Sequence, residues 1–305
     1  MEHASHTPAD LVIHPRNLMI GRGQTMMRWW NGGDPVATAF YNGMSVAFPL
    51  GEAFFIDSVR KFRDAAPADQ QAQIDAFIKQ EAAHSREHIH FNKQVHEAGY
   101  EVESIEADLA EQLAKAREFP PVINLATTVA LEHFTAIIAH AALKSDRHFK
   151  GATSDAARLW KWHAIEEIEH KAVAFDTFLA ATAGMPSFKR WRFRSLVMLQ
   201  STKNFLRARL RNMGHFFDQD GINKPTTWVR AIAFFLIYPG ILRQIFPAWL
   251  AFFRPGFHPW QQDDRALLAR NEAELGSTAA VDAAVDAAVD ATAGATAGAA
   301  ASARS

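Results

Sequence analysis

Through most of this chain apolar residues recur every three to four positions, the period of helices that bury one face. No stretch alternates with the period of two that marks strands, so the fold class is all-α. Residues 1–34 read as irregular, punctuated by Pro8, Pro15, Gly21, Gly23, Gly32 and Gly33. Asp34 then caps a helix with Pro35 at its first position. That helix runs to about Ala65, and Pro49 with Gly51 predicts a kink beside Glu52. After a turn at Ala66–Pro67, a second helix spans about 68–98 and ends at Gly99. A polar, Glu-rich helical stretch follows over 101–118, broken by Pro120–Pro121. A third helix spans about 121–148, with a turn at Lys150–Gly151. Ser154 is the expected cap of a fourth, running to about 183. A basic helix (about 188–217) and a Phe-rich segment (228–253) come next. Residues 276–305 repeat Val-Asp-Ala-Ala and then become Ala, Gly, Ser and Thr, too poor in large apolar side chains to pack, which predicts a disordered tail or a marginal helix without chemistry.

Four of the helices carry acids on the face that should be buried. At 100° per residue, Ile74, Phe77, Ile78, His84, His88, Phe91 and Val95 all fall within roughly 80° of Glu81. The same count places Trp160, His163, His170, Ala174 and Phe178 beside Glu167, and Leu125, Thr128, Val129, Thr135 and Leu143 beside Glu132. Tyr41, Ser45, Phe48, Phe55 and Val59 lie beside Glu52. Glu52 and Glu81 stand nearly equal distances either side of the Ala66 turn, and Glu132 and Glu167 do so about Phe149–Lys150. Each antiparallel hairpin thus brings its acids level. The connection Gly99–Pro121 is long enough to cross a bundle.

The order Glu52, Glu81-x-x-His84, Glu132, Glu167-x-x-His170 is the ligand pattern of a dinuclear metal site in a four-helix bundle. Four carboxylates are too costly to bury together without cations. Glu87 and His90 repeat the spacing, but His90 lies on the opposite face among Arg86 and Lys93, so that pair is expected to face solvent. His88, His163 and Glu166, with Thr128 and Thr135, are the expected neighbours of the ligands or pocket residues, Glu166 as acceptor of a ligand imidazole N–H. Tyr41 reads as a packing residue.

Composition narrows the chemistry. The chain has 305 residues, 49% hydrophobic, with a net charge of −1, which speaks against nucleic-acid binding by bulk charge. The absence of cysteine removes disulfides, iron–sulfur clusters and thiolate zinc sites, leaving Glu, Asp and His for a metal. That set favours two harder cations, iron first, with manganese or zinc as alternatives. No organic-cofactor site and no catalytic side chain is assigned. The N-terminus lacks an apolar signal region, so a cytoplasmic protein is expected. Lys189, Arg190, Arg192, Arg194, Lys203, Arg207, Arg209 and Arg211 make the fifth helix basic, and the Phe-rich segment after it is interrupted by Pro239, Arg243 and Pro247, short of the ~20 residues a span needs. Packing over the bundle is the expected role of residues 184–265, with peripheral contact between 188–253 and the inner face of the membrane as the alternative.

At these residues, over about 35–183, the chain resembles the ferritin-like di-iron carboxylate proteins. Glu166-Glu167-Ile168-Glu169-His170 is similar to the acidic Glu-x-x-His motif of that superfamily, although Glu169 stands where its oxygenase branch commonly has Arg. More closely, Phe48-Pro49-Leu50-Gly51-Glu52, Gln80-Glu81-Ala82-Ala83-His84, Leu131-Glu132-His133, Trp162 to Lys171 and Phe257-His258-Pro259-Trp260 resemble a bacterial family labelled predicted metal-dependent hydrolases. The resemblance implies a ferritin-like four-helix bundle with a long crossover and added C-terminal helices.

Four carboxylates to two imidazoles favour an O2-activating di-iron oxidoreductase acting on a small apolar substrate. The family label implies the alternative, hydrolysis by metal-bound hydroxide. Iron binding or storage without turnover is the third reading.

Overall fold

The protein is described from a computed structural model, which covers residues 7–8, 10–23 and 25–276. Of the tail expected at 276–305, Gly276 closes a helix and the rest lies outside the described residues. The chain divides into two units, Met1–Asp264 and Arg265–Ser305; in the second, residues 265–276 are helical.

The first unit is built from α1 (Pro35–Arg60), α2 (Ala68–Glu97), α3 (Glu103–Arg117), α4 (Pro121–Lys144), α5 (Ser154–His170), α6 (Val173–Ala181), α7 (Ser187–Gln219), α8 (Pro225–Leu236) and α9 (Ile241–Ala251). Among the described residues there is no strand, only an isolated bridge between Asn31 and Ala152. The close approach there needs Gly32, where a Cβ would sit 2.7 Å from the Lys150 carbonyl oxygen.

Local signals set the helix ends. Asp34 accepts a hydrogen bond from the Val36 amide at 2.8 Å, and Pro35 opens α1. Pro49 lies inside α1, which continues past it to Arg60. Gly99, with φ +92°, stops α2. Two expectations are corrected. Thr153, not Ser154, stands before α5, with no side-chain cap bond. The fourth helix is not continuous, because turn residues Lys171 and Ala172 divide α5 from α6. A buried ammonium must be paired, and at this turn Lys171 donates to Asp264 at 2.6 Å and to the Gln262 carbonyl at 2.8 Å, beneath the Trp260 ring.

α1 packs on α2 and α4 on α5, each pair joined by a short turn, while α1 against α4 and α2 against α5 and α6 close the array. α3 lies in the long connection and rests on α1 and α4. α7 lies along α1 and α4, α8 on α1, and α9 on α4. α4 is long and apolar enough to cross a membrane, yet 78% of its apolar window is buried inside the protein.

The segment before α1 is irregular but docked. The Ile20 amide and Arg22 donate to Glu87 at 3.1 and 2.8 Å, and Arg86 adds a third bond. Glu87 is therefore buried, against the expectation that it faces solvent. Helical periodicity places it outside the bundle correctly; the strap of residues 14–22 then covers that face. His90, half-buried, meets the Gly21 carbonyl.

Candidate metal centre

Glu52 on α1, Glu81 and His84 on α2, Glu132 on α4, and Glu167 and His170 on α5 are all buried and converge. His170 Nε2 lies 3.1 Å from Glu81, 3.5 Å from Glu132 and 3.6 Å from Glu167. His84 Nδ1 lies 3.8 Å from Glu81 and 3.9 Å from Glu167. Glu81 and Glu167 thus stand between the two imidazoles, with Glu132 at the His170 end. Glu52 groups with His84 and His163 at the other end, its second oxygen held by Ser85 at 2.7 Å.

These side chains are short of partners. Both oxygens of Glu81 and of Glu132, one each of Glu52 and Glu167, both ring nitrogens of His84 and His170 Nε2 are buried with no hydrogen bond. Such atoms are expensive unless something outside the protein satisfies them. Burial, with repulsion from the neighbouring carboxylates, pushes Glu81 and Glu132 well above the usual carboxylate range. Burial also pushes Glu52 up, against the Ser85 bond. Burial raises Glu167 too, but the adjacent His163 and His170 imidazoles outweigh it and hold it low. His84 is kept neutral by burial and by His163. Donor atoms that share one cation at ~2.1 Å stand roughly 3.0–3.4 Å apart, close to the separations around His170. The set fits metal.

The imidazoles are oriented from behind. Gln80 donates to Glu169 at 2.6 Å, so its amide oxygen accepts the His170 Nδ1 proton at 2.8 Å. A neutral His170 then turns a bare Nε2 to the carboxylates. His84 Nε2 lies 3.2 Å from Glu166, but neither that nitrogen nor the facing Glu166 oxygen makes a hydrogen bond, so the accepting role expected of this acid is not seen. Arg16 of the strap pairs with Glu166 and Glu169, and Trp162 donates to Glu166.

His163 and His88 form a polarised chain. The Ser45 hydroxyl hydrogen goes to Asn92 at 2.6 Å, so His88 Nδ1 must donate to Ser45 at 2.8 Å. Neutral His88 accepts at Nε2 from His163 Nδ1 at 2.8 Å. A neutral His163 would then present a bare Nε2 to Glu167, 2.9 Å away. Two acceptors that close must share a positive charge, a proton or a metal cation.

The remaining sequence candidates sit around this core. Thr135 bonds the Glu132 backbone carbonyl and lines a cavity, while Thr128 pairs with Ser58; neither is bonded to a cluster side chain. Tyr41 is core, bonded to His148. Sequence reasoning missed Gln80, Glu169, Ser85 and Arg16. Gln80 and Glu169 each stand one residue before a cluster residue, but neither has the helical phase of the apolar stripe.

Residues 14–263 match the sequence model of a family described as predicted metal-dependent hydrolase. The chain belongs to this family. No curated protein and no solved structure matches it. The family is by its description one of metal-dependent enzymes, and the matched span holds the strap, all six converging residues and their outer partners. Its description agrees with the hydrolytic alternative better than with the oxidation that the carboxylate count favoured.

Proposed function

We propose that this member of the predicted metal-dependent hydrolases works through two cations held by Glu52, Glu81, His84, Glu132, Glu167 and His170. Glu81 and Glu167 would be shared, Glu52 and His84 serving one cation, Glu132 and His170 the other. The observation that carries this reading is the row of buried donor atoms, unsatisfied by the protein, that turn toward one another. When bound, such a pair supplies Lewis acidity and an acidified water for attack on an ester-like or phosphoryl centre.

The chain's own residues do the rest. Gln80 fixes which nitrogen of His170 faces inward, and Glu169 fixes Gln80. His163, His88 and Ser45 form a hydrogen-bonded chain from Glu167 to Asn92, over which a positive charge held at His163 would be shared. Phe48 lies against the His163 and His88 rings, and Trp162 edges onto His84, so that water is kept from these faces. The arrangement of α1, α2, α4 and the broken α5–α6 rod, with α3 in the long connection, supports a ferritin-like bundle.

One observation favours a second reading. Four carboxylates beside two imidazoles, in apolar surroundings, suit two irons that reduce O2. A single purified preparation separates the two. Metal analysis, oxygen uptake and turnover of ester and phosphoester panels should show two bound metals, hydrolysis and no oxygen uptake. Oxygen consumption without hydrolysis would replace the first reading by the second, and a preparation that binds no metal would remove both.

The same proposal places the chain at the inner, anionic face of a membrane. Phe188, Leu196, Leu199, Leu206 and Leu210 are exposed on α7, and they share an arc of roughly 140° with exposed Lys189, Arg192, Lys203, Arg207 and Arg211. Val229, Ile232 and Leu236 on α8 and Phe246 and Leu250 on α9 are exposed as well. Apolar side chains interleaved with cations match a surface of acidic lipid.

A further inference from the structure

A cavity of about 210 Å³ lies between α1, α3, α4 and α7. Its wall is largely apolar, with Met44, Phe55, Leu113, Leu131 and Phe205 among the lining. One charged side chain interrupts it. Arg209 is only 8% exposed, yet among the described residues it has no carboxylate partner. Its Nη1 donates to the Gly43 carbonyl at 2.7 Å, its Nε has no partner at all, and its guanidinium lies over the Phe205 ring. Burial, with Arg211 nearby, lowers its pKa to about 10, so it is cationic at neutral pH. A buried guanidinium without a counter-ion is costly, and its planar fork matches a carboxylate.

The cavity also adjoins the Glu/His cluster. Phe48, Gly51 and Phe55 of its wall flank Glu52, and Leu131 and Thr135 flank Glu132. Met44, Phe48 and Thr135 are shared with a small void of about 20 Å³ that Glu167 and His163 line. Arg209 meets α1 at Gly43, about 13 Å before Glu52 at 1.5 Å per residue.

We propose that this cavity binds an aliphatic carboxylate, the carboxylate on Arg209 and the chain running past Phe48 and Phe55 toward the cluster. Binding itself is independent of the hydrolytic reading; a hydrolytic centre would act only on a chain whose distal end carries an ester-like group.

The test is titration of the protein as purified with decanoate, with 1-decanol as the uncharged control and acetate as the tailless one, followed by calorimetry. Decanoate should bind at least tenfold more tightly than either. Arg209→Met should lose that preference for decanoate over decanol, and Arg209→Lys should keep part of it. Ala116→Phe, which fills the α3 side of the cavity, should weaken decanoate and decanol together, and it decides the matter if Arg209→Met does not fold. Decanoate bound no better than decanol, or bound undiminished by Arg209→Met or by Ala116→Phe, overturns the proposal. Metal content, measured on the same samples, should be equal in all of them. Native protein that binds decanoate but holds no metal would sink the hydrolytic reading alone.

Discussion

The side-chain oxygen of Gln80 accepts the Nδ1 proton of His170 at 2.8 Å, and that bond decides which nitrogen of the imidazole turns inward. The amide cannot be flipped without setting its NH2 against the ring N–H and its oxygen against Glu169. Replacing Gln80 by Leu should leave the fold intact and lower metal affinity by roughly 10- to 100-fold, the usual cost of an outer partner. Competition with a chelator of known affinity measures it; unchanged affinity would mean that the ring is oriented by packing alone.

Stoichiometry distinguishes the shared acids from the terminal one. Glu81 stands within reach of both imidazoles, whereas Glu52 groups only with His84 and His163. Glu81→Ala should therefore lose both metals, while Glu52→Ala should retain about half of the native content. Elemental analysis of the two variants reads this directly. Full metal content in Glu81→Ala would contradict the proposed ligand set.

Arg16 ties the N-terminal strap to the outer acids, at 2.6 Å from Glu169 and 3.3 Å from Glu166. Both acids are buried, and Arg16 is partly exposed, which screens part of the charge. Arg16→Ala should cost roughly 2 kcal/mol in chemical denaturation, most of it from carboxylates left buried and unpaired. A loss below a few tenths of a kcal/mol would show that the strap is held by its other bonds.

The metal-free protein should depend on pH in an unusual direction. Glu52, Glu81 and Glu132 are raised well above their ordinary value of 4.5, so the folded state holds more protons than the unfolded chain above that pH. Stability then falls as pH rises through that window. Glu167 is lowered, and its contribution, already complete above 4.5, is lost only in acid. Between about pH 5 and 8 the melting temperature of the chelator-treated protein should drop, while metal, which replaces the protons, should restore it and release protons on binding. A flat or rising melting temperature in the metal-free form would refute this.

Liposome flotation tests the exposed face of α7. Binding to vesicles rich in anionic lipid should exceed binding to neutral ones and weaken in salt, and Leu199→Glu with Leu206→Glu should abolish it. Equal flotation on neutral vesicles would remove the electrostatic part of the argument.

How much of this was legible beforehand differs from residue to residue. The six cluster residues carry two signals at once, the apolar phase of their helices and equal distance from the turns, and both are properties of one strand of sequence. His163 shared the helical phase, and Glu166 was reached only as the neighbour of Glu167. Gln80 did not, because its role depends on Glu169 from another helix. Glu87 was misread for a related reason: a helical wheel compares a residue with its own helix and is blind to a segment that folds back over it.

What the amino-acid order determined by itself is therefore periodic: which residues form rods, where Asp34–Pro35 and Gly99 begin and end them, and which acids turn inward. Only the tertiary structure decided the pairings without period. The strap over Glu87, the turn at Lys171 that meets Asp264, and the lone guanidinium of Arg209 beside Gly43 arise from segments far apart in the chain. Their bonds exist only once helix packing has closed the distance, and nothing local in the sequence records a partner that distant.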